Sequence, residues 1–98
     1  MRFMQIIEMR TSRRDEVQAA LDEWRTTTAG RRTAQRAVTG REHDGEDVYI
    51  TVVEFPSYEA AMTNSDLPET RDLAERLTKL CNEPPTFRNL DIIRQDDL

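Results

Sequence analysis

Apolar residues gather in short stretches of this chain, and between them they recur at helical spacing. From Phe3 to Met9 they fall on both faces, Phe3, Ile7 and Met9 on one and Met4 and Ile6 on the other, which predicts a strand covered on both sides. Ser12 then opens a predicted helix, with Asp15 at the third helical position of a capping box. Val17, Ala20, Leu21, Trp24 and Thr28 form one narrow buried stripe, while Glu16, Asp22, Glu23 and Arg25 stay in water. Gly30 supplies the stop.

The segment Arg31 to Glu42 is polar, with only Ala34, Ala37 and Val38 to bury, and reads as a modest strand on architectural grounds. His43-Asp44-Gly45-Glu46 makes a turn in which the Asp-Gly pair tolerates positive φ, so the next strand, beginning near Asp47, closes a hairpin. That strand, Val48 to Phe55, runs through Pro56 into helix formers. Ser57 caps a short helix from Tyr58 to about Asn64. Asp66 and Glu69 stand in the box positions of a second helical start, with Pro68 in its first turn. Leu73, Leu77 and Leu80 form its buried stripe, Pro84-Pro85 ends it, and Phe87 to Arg94 is the final strand.

The order β-α-β-β-α-β, with right-handed crossovers, predicts one domain over residues 1–98. Its fold class is α+β, a ferredoxin-like sandwich with helices on one face of an antiparallel sheet. Alternation along the strands gives that sheet two faces. Met4, Ile6, Val48, Ile50, Val52, Leu90 and Ile92 lie on one; Phe3, Gln5, Ile7, Met9, Tyr49, Thr51, Val53 and Phe55 face the helices, meeting Trp24, Met62 and Leu73.

The run Glu54-Phe-Pro-Ser57-Tyr-Glu59-Ala60-Ala61, followed by Asn64-Ser65-Asp66, resembles the strand-three to helix-two junction of the dimeric α+β barrel superfamily, which includes antibiotic-biosynthesis-type monooxygenases. The resemblance implies a homodimer whose sheets pack face to face into a barrel, with a separate pocket in each subunit between sheet and helices. The pocket it implies here is lined by Gln5, Ile7, Trp24, Tyr49, Thr51, Val53, Phe55 and Met62, apolar with a few polar points. The plain alternative is that these residues are core. A buried Tyr49 or Gln5 needs a partner, so each either bonds a neighbour or points at a ligand. Haem-degrading members use an Asn, a Trp and a His at positions that fall here on Ile7, Val53 and Asp72, so haem degradation is not expected. The cofactor-free oxygenases of the superfamily act on phenols or quinols, and many relatives carry a His in helix two, where this chain has Asn64 and Ser65.

Charge narrows the partners. Lys and Arg number 14 against 19 Asp and Glu, a net charge of -5, and phosphate neutralisation needs the opposite balance, so nucleic acid is not an expected partner. Arg13-Arg14 and Arg31-Arg32 read as solvated surface. With 34% charged and 37% hydrophobic residues the core is lean, and self-association would stabilise it. Cys81 is alone, which excludes an internal disulfide and a cysteine metal cluster and fits a reducing cytoplasm. No stretch has the length of a membrane span, and the N-terminal apolar run is too short for a signal peptide.

Candidate catalytic groups are few. His43 adjoins a turn, Glu54 and Asp91 lie within strands, and Cys81 sits beside Leu77 and Leu80 as a small buried apolar group. No catalytic residue and no cofactor is therefore assigned. The expectation is a homodimer binding a small apolar or aromatic metabolite. The alternatives are a cofactor-independent monooxygenase using the same pocket, and a structural dimer with a filled core.

Overall fold

The computed structural model describes residues 1–98. In chain order the elements are β1 (Phe3–Arg10), α1 (Arg14–Thr27), β2 (Arg36–Arg41), β3 (Val48–Phe55), α2 (Tyr58–Ser65), α3 (Pro68–Leu80) and β4 (Thr86–Asp91). The strands form one antiparallel sheet in the order β2-β3-β1-β4, the ferredoxin-like arrangement expected from the pattern. No helix is long and apolar enough to cross a membrane.

The central ladder pairs Phe3 with Phe55, Gln5 with Val53, Ile7 with Thr51 and Met9 with Tyr49. Because side chains alternate across a strand, these eight share the helix-side face. β4 adds Phe87 opposite Ile7 and Asn89 opposite Gln5, and β2 adds Thr39 opposite Thr51.

The core beneath the helices is divided. Met9, Val17, Leu77 and Cys81 form one buried cluster, flanked by Ile7, Leu21, Leu73 and Leu80. Phe3, Phe55 and Ala61 form another, flanked by Ala34, Val53 and Met62. Tyr58 meets the Phe3 ring edge-on at 5.5 Å between centroids. Fully burying a Leu or Phe side chain stabilises by about 1.5–3 kcal/mol, so two small clusters leave little surplus.

Local details depart from the sequence pattern where a tertiary partner outbids a local one. Ser12 does not cap α1: Arg13 holds the N-cap position without a side-chain bond, and the buried Thr11 lies two residues before it. Thr11 Oγ1 accepts the Arg13 N–H at 2.9 Å and donates to the Leu80 carbonyl at 2.8 Å, tying the end of β1 and the start of α1 to the end of α3. Asp66 does not cap α3 either. Leu67 holds that position without a side-chain bond, Pro68 starts the helix, and Asp66 pairs with Arg71. In the hairpin the positive φ falls on Asp47, at 57°, rather than on the Asp44-Gly45 pair; Gly30 does adopt the expected left-handed conformation, at 81°.

α3 stops at Leu80, well before the two prolines, because the extended Cys81 turns the chain and the Asn82 N–H bonds the Arg10 carbonyl at 2.8 Å. β4 ends at Asp91 rather than Arg94: its partner β1 begins at Phe3, and only one further bond, from the Ile92 N–H to the Arg2 carbonyl, is available. Val48, expected on the open sheet face, is already 95% enclosed within the chain.

The cap signal at Ser57 is realised: its Oγ accepts the Ala60 N–H at 3.0 Å. Ser57→Ala should therefore lower stability by about 1 kcal/mol. Ser12→Ala should change it by less than about 0.5 kcal/mol, since an exposed Ser without a cap bond is an ordinary surface site. Urea denaturation midpoints at an unchanged m-value check both.

Candidate functional site

Between the two apolar clusters the helix side of the sheet carries hydroxyl and amide groups. The hydroxyls of Thr39 and Thr51 bond across the β2–β3 ladder at 2.8 Å, and Gln5 Nε2 donates to Asn89 Oδ1 at 3.1 Å across β1–β4. The register that pairs these residues places both polar contacts on the face the helices cover. Cover is incomplete on the β4 side, where Asn89 is exposed and Phe87 keeps half its surface in water.

Tyr49 stands at the other end of this face. It is 91% enclosed, yet its hydroxyl bonds nothing in the chain. No fully enclosed side-chain nitrogen or oxygen lacks a partner, so that hydroxyl must reach open space. A cleft lies beside it, lined by Met9, Thr11, Arg14, Val17, Leu21 and Thr39 among others, with a volume of about 20 Å³, the room of a single water. The Arg14 guanidinium lies 5.8 Å from the Tyr49 ring centroid, over its face.

The eight residues expected to line one pocket therefore divide. Gln5, Tyr49 and Thr51 form the polar part of the helix-side face. Ile7 packs against the first apolar cluster, and Phe55, Val53 and Met62 belong to or pack against the second. Trp24 turns away from Tyr49 and bonds Thr70 Oγ1 through Nε1 at 2.9 Å, pinning α1 to α3.

Trp24 also lines a second hollow of about 280 Å³ along the α1–α3 seam, with Ala20, Glu23, Pro68, Glu69, Asp72, Leu73 and Arg76. Although much larger, this hollow is an open surface groove outside the sheet–helix layer. Two ion pairs involve its rim, Arg76 with Glu23 at 2.5 Å and Arg31 with Glu69, and the hydrogen bond from Arg31 holds the Glu69 carboxyl below the usual carboxylate range. The Tyr49 cleft is the more enclosed of the two and lies between the sheet and α1.

Other titratable candidates lie elsewhere. Glu54 makes ion pairs at the strand end with Arg2, at 3.2 Å, and Arg36, at 4.0 Å. His43 and Asp91 are exposed. No three His, Cys, Asp or Glu side chains gather closely enough to hold a metal ion. At the positions haem-degrading proteins use, Ile7 and Val53 offer only hydrocarbon, and Asp72 lies in the seam groove.

The placement of Arg14, Thr39 and Asn89 on or beside this face was not legible in the sequence. An Arg in an Arg-Arg pair reads as solvated surface, and the register of β2 and β4 emerges only when the strands pair. The unequal fates of the pair were the missing signal: Arg13 bonds Glu16, whereas Arg14 has no carboxylate partner.

No protein-family model matches the chain, and no curated protein sequence matches it. Solved structures do. SnoaB from Streptomyces nogalater, named a cofactor-independent oxygenase, superposes with a TM-score of 0.79 at 13% identity, over 96% of this chain and 95% of its own. Rv0793 from Mycobacterium tuberculosis gives 0.81 at 15% identity, over 99% and 100%. A Caulobacter crescentus protein designated an antibiotic biosynthesis monooxygenase gives 0.80 at 11% identity, over 95% and 91%. The chain has the antibiotic biosynthesis monooxygenase fold. At these identities the likeness is one of fold, and chemistry rests on the residues present.

Cys81, at the end of α3, is enclosed beside Leu77, and burial raises its thiol pKa above the ordinary value. The native thiol should therefore react with iodoacetamide at pH 8.5 at least tenfold more slowly than in urea-unfolded chain, as alkylation followed by mass spectrometry will read. The raised pKa also fixes a sign: its stabilising contribution is intact below the unfolded thiol's pKa, about 8.5, and is lost as pH rises through the folded value.

Proposed function

We propose that this protein is a homodimer that binds a small, largely apolar or aromatic molecule between sheet and helices, in a reducing, cytoplasmic setting. The observation that carries the reading is Tyr49, a nine-tenths enclosed residue that lines a small cleft on a helix-side face whose apolar core is split in two, its hydroxyl without a partner in the chain. Such a face offers hydrocarbon walls with a few hydrogen-bonding points, the texture of small-molecule sites.

Dimerisation is supported by the opposite face of the sheet. Met4, Ile6, Ile50, Val52 and Leu90 are only half-buried there, and Val38 is 51% exposed. The chain exposes 6971 Å². A globular monomer of this mass exposes roughly 5,800 Å². An excess of this size matches what one subunit loses in a stable interface, about 800 Å² or more.

The second reading, a cofactor-independent monooxygenase acting on a phenol or quinol, is favoured by the fold shared with SnoaB. Within the chain, Tyr49 is an enclosed phenol on the helix-side face whose hydroxyl has no partner in the chain.

A panel of phenols and quinols separates the two. Binding alone gives ligand-dependent rises in melting temperature with no oxygen uptake in an oxygen electrode; sustained uptake that is lost in Tyr49→Phe establishes the enzyme. Light scattering at micromolar concentration should give twice the 11.4 kDa chain mass, and Val52→Asp should reduce it to the monomer. A wild-type monomer would overturn the dimer.

A further inference from the structure

We propose that residues 92–98 of one copy dock along the exposed edge strand β2 of a second copy, adding a strand there, and that the two copies of the homodimer make this exchange reciprocally. The inference rests on the dimer reading above and adds a second contact to the apolar sheet face.

β2 is an open edge. It pairs only with β3, and its whole length is exposed. The Glu42 N–H bonds the Val48 carbonyl, and antiparallel bonding alternates, so Ala37, Thr39 and Arg41 turn their backbone N–H and C=O groups away from β3. A row of free backbone groups is a template for a further extended segment.

Charge selects the segment. From Trp24 to Arg41 the chain carries Arg25, Arg31, Arg32, Arg36 and Arg41 and not one Asp or Glu, although it has 19 acidic residues in all. β2 closes this stretch, with Arg36 and Arg41 at its two ends. Arg31 pairs with Glu69, and Arg36 approaches Glu54 only to 4.0 Å, where Arg2 is the nearer partner. Residues 92–98 have the complementary character: Ile93 is 88% exposed, and Asp96 and Asp97 follow it, Asp96 bonding Arg94 at 2.7 Å. They form no helix or strand, and two hydrogen bonds tie them to the rest of the chain, from the Ile92 N–H to the Arg2 carbonyl and from the Arg2 guanidinium to Gln95 Oε1. Val38 on β2, itself half-exposed, offers Ile93 apolar surface.

Reach favours a partner's edge over the chain's own. Within one sheet β2 lies three strand spacings from β4, about 14 Å across the face that dimerisation covers. Residues 92–98 fully extended span about 23 Å, so that crossing would leave fewer than about three of them to pair. Sheets packed face to face lie about 10 Å apart, and with β4 of one copy over β2 of its partner about four residues remain for pairing. Two-fold symmetry makes the contact reciprocal, covering both β2 edges.

Hydrogen exchange of the full chain, read by NMR at a concentration where it is dimeric, tests the docking. The Ala37, Thr39 and Arg41 amides should exchange at least tenfold more slowly than in the double variant Asp96→Lys/Asp97→Lys, which should also dimerise several-fold more weakly. Adding Arg36→Glu and Arg41→Glu to that variant should restore both. In a Cys81→Ala background, chains with Ala37→Cys mixed with chains with Asp97→Cys should oxidise to a species of twice the chain mass. A dimer whose β2 edge amides exchange equally fast with and without the charge reversal would overturn the docking and leave the dimer standing. A chain carrying both cysteines that closes its disulfide at single-chain mass would also overturn it, and a monomeric wild type would remove both readings together.

Discussion

The pairing of β1 with β3 at the centre of the sheet is the constraint on which the rest of this protein depends. From Phe3 opposite Phe55 to Arg10 opposite Val48, the register decides which side chains meet the helices. A slip of one residue would carry Met4, Ile6, Ile50 and Val52 under the helices and expose Phe3, Met9 and Phe55. Both edge strands are read off this ladder. Thr39 reaches Thr51, and Asn89 reaches Gln5, only because β2 and β4 dock on strands already held in that register.

The same register divides the core. Aromatic side chains at one end of the sheet gather under α2, and aliphatic ones at the other end gather under α1 and α3. Here hydrogen-bonding groups occupy the middle, and the helices are held by contacts outside it: the Trp24–Thr70 bond between α1 and α3, and Thr11, whose hydroxyl serves the start of α1 and the end of α3 together.

The three solved counterparts named above share its outline at identities of 11–15%, which measures how little of a ferredoxin-like sandwich depends on particular residues. Alternation, helical stripes and a strand-to-helix junction suffice to build it. Chemistry is written separately, in a few positions. In this chain the helix-side face carries the Tyr49 phenol and the Thr39–Thr51 hydroxyl pair.

The sequence by itself determined the element order, the inward and outward alternation of β1 and β3, the α1 stripe from Val17 to Thr28 and the cap at Ser57. Each depends on neighbours a few residues apart, so the period of the pattern contains the answer. Tertiary structure decided what depends on partners distant in sequence. Ser12 makes no cap because Arg13 takes that position, beside a Thr11 whose hydroxyl is held by the Leu80 carbonyl, 69 residues away in sequence. β4 stopped at Asp91 because β1 begins at Phe3. Trp24 left the expected pocket because Thr70 satisfied its N–H. Arg14, indistinguishable from Arg13 in the sequence, acquired its place only when the hairpin brought Tyr49 beneath it.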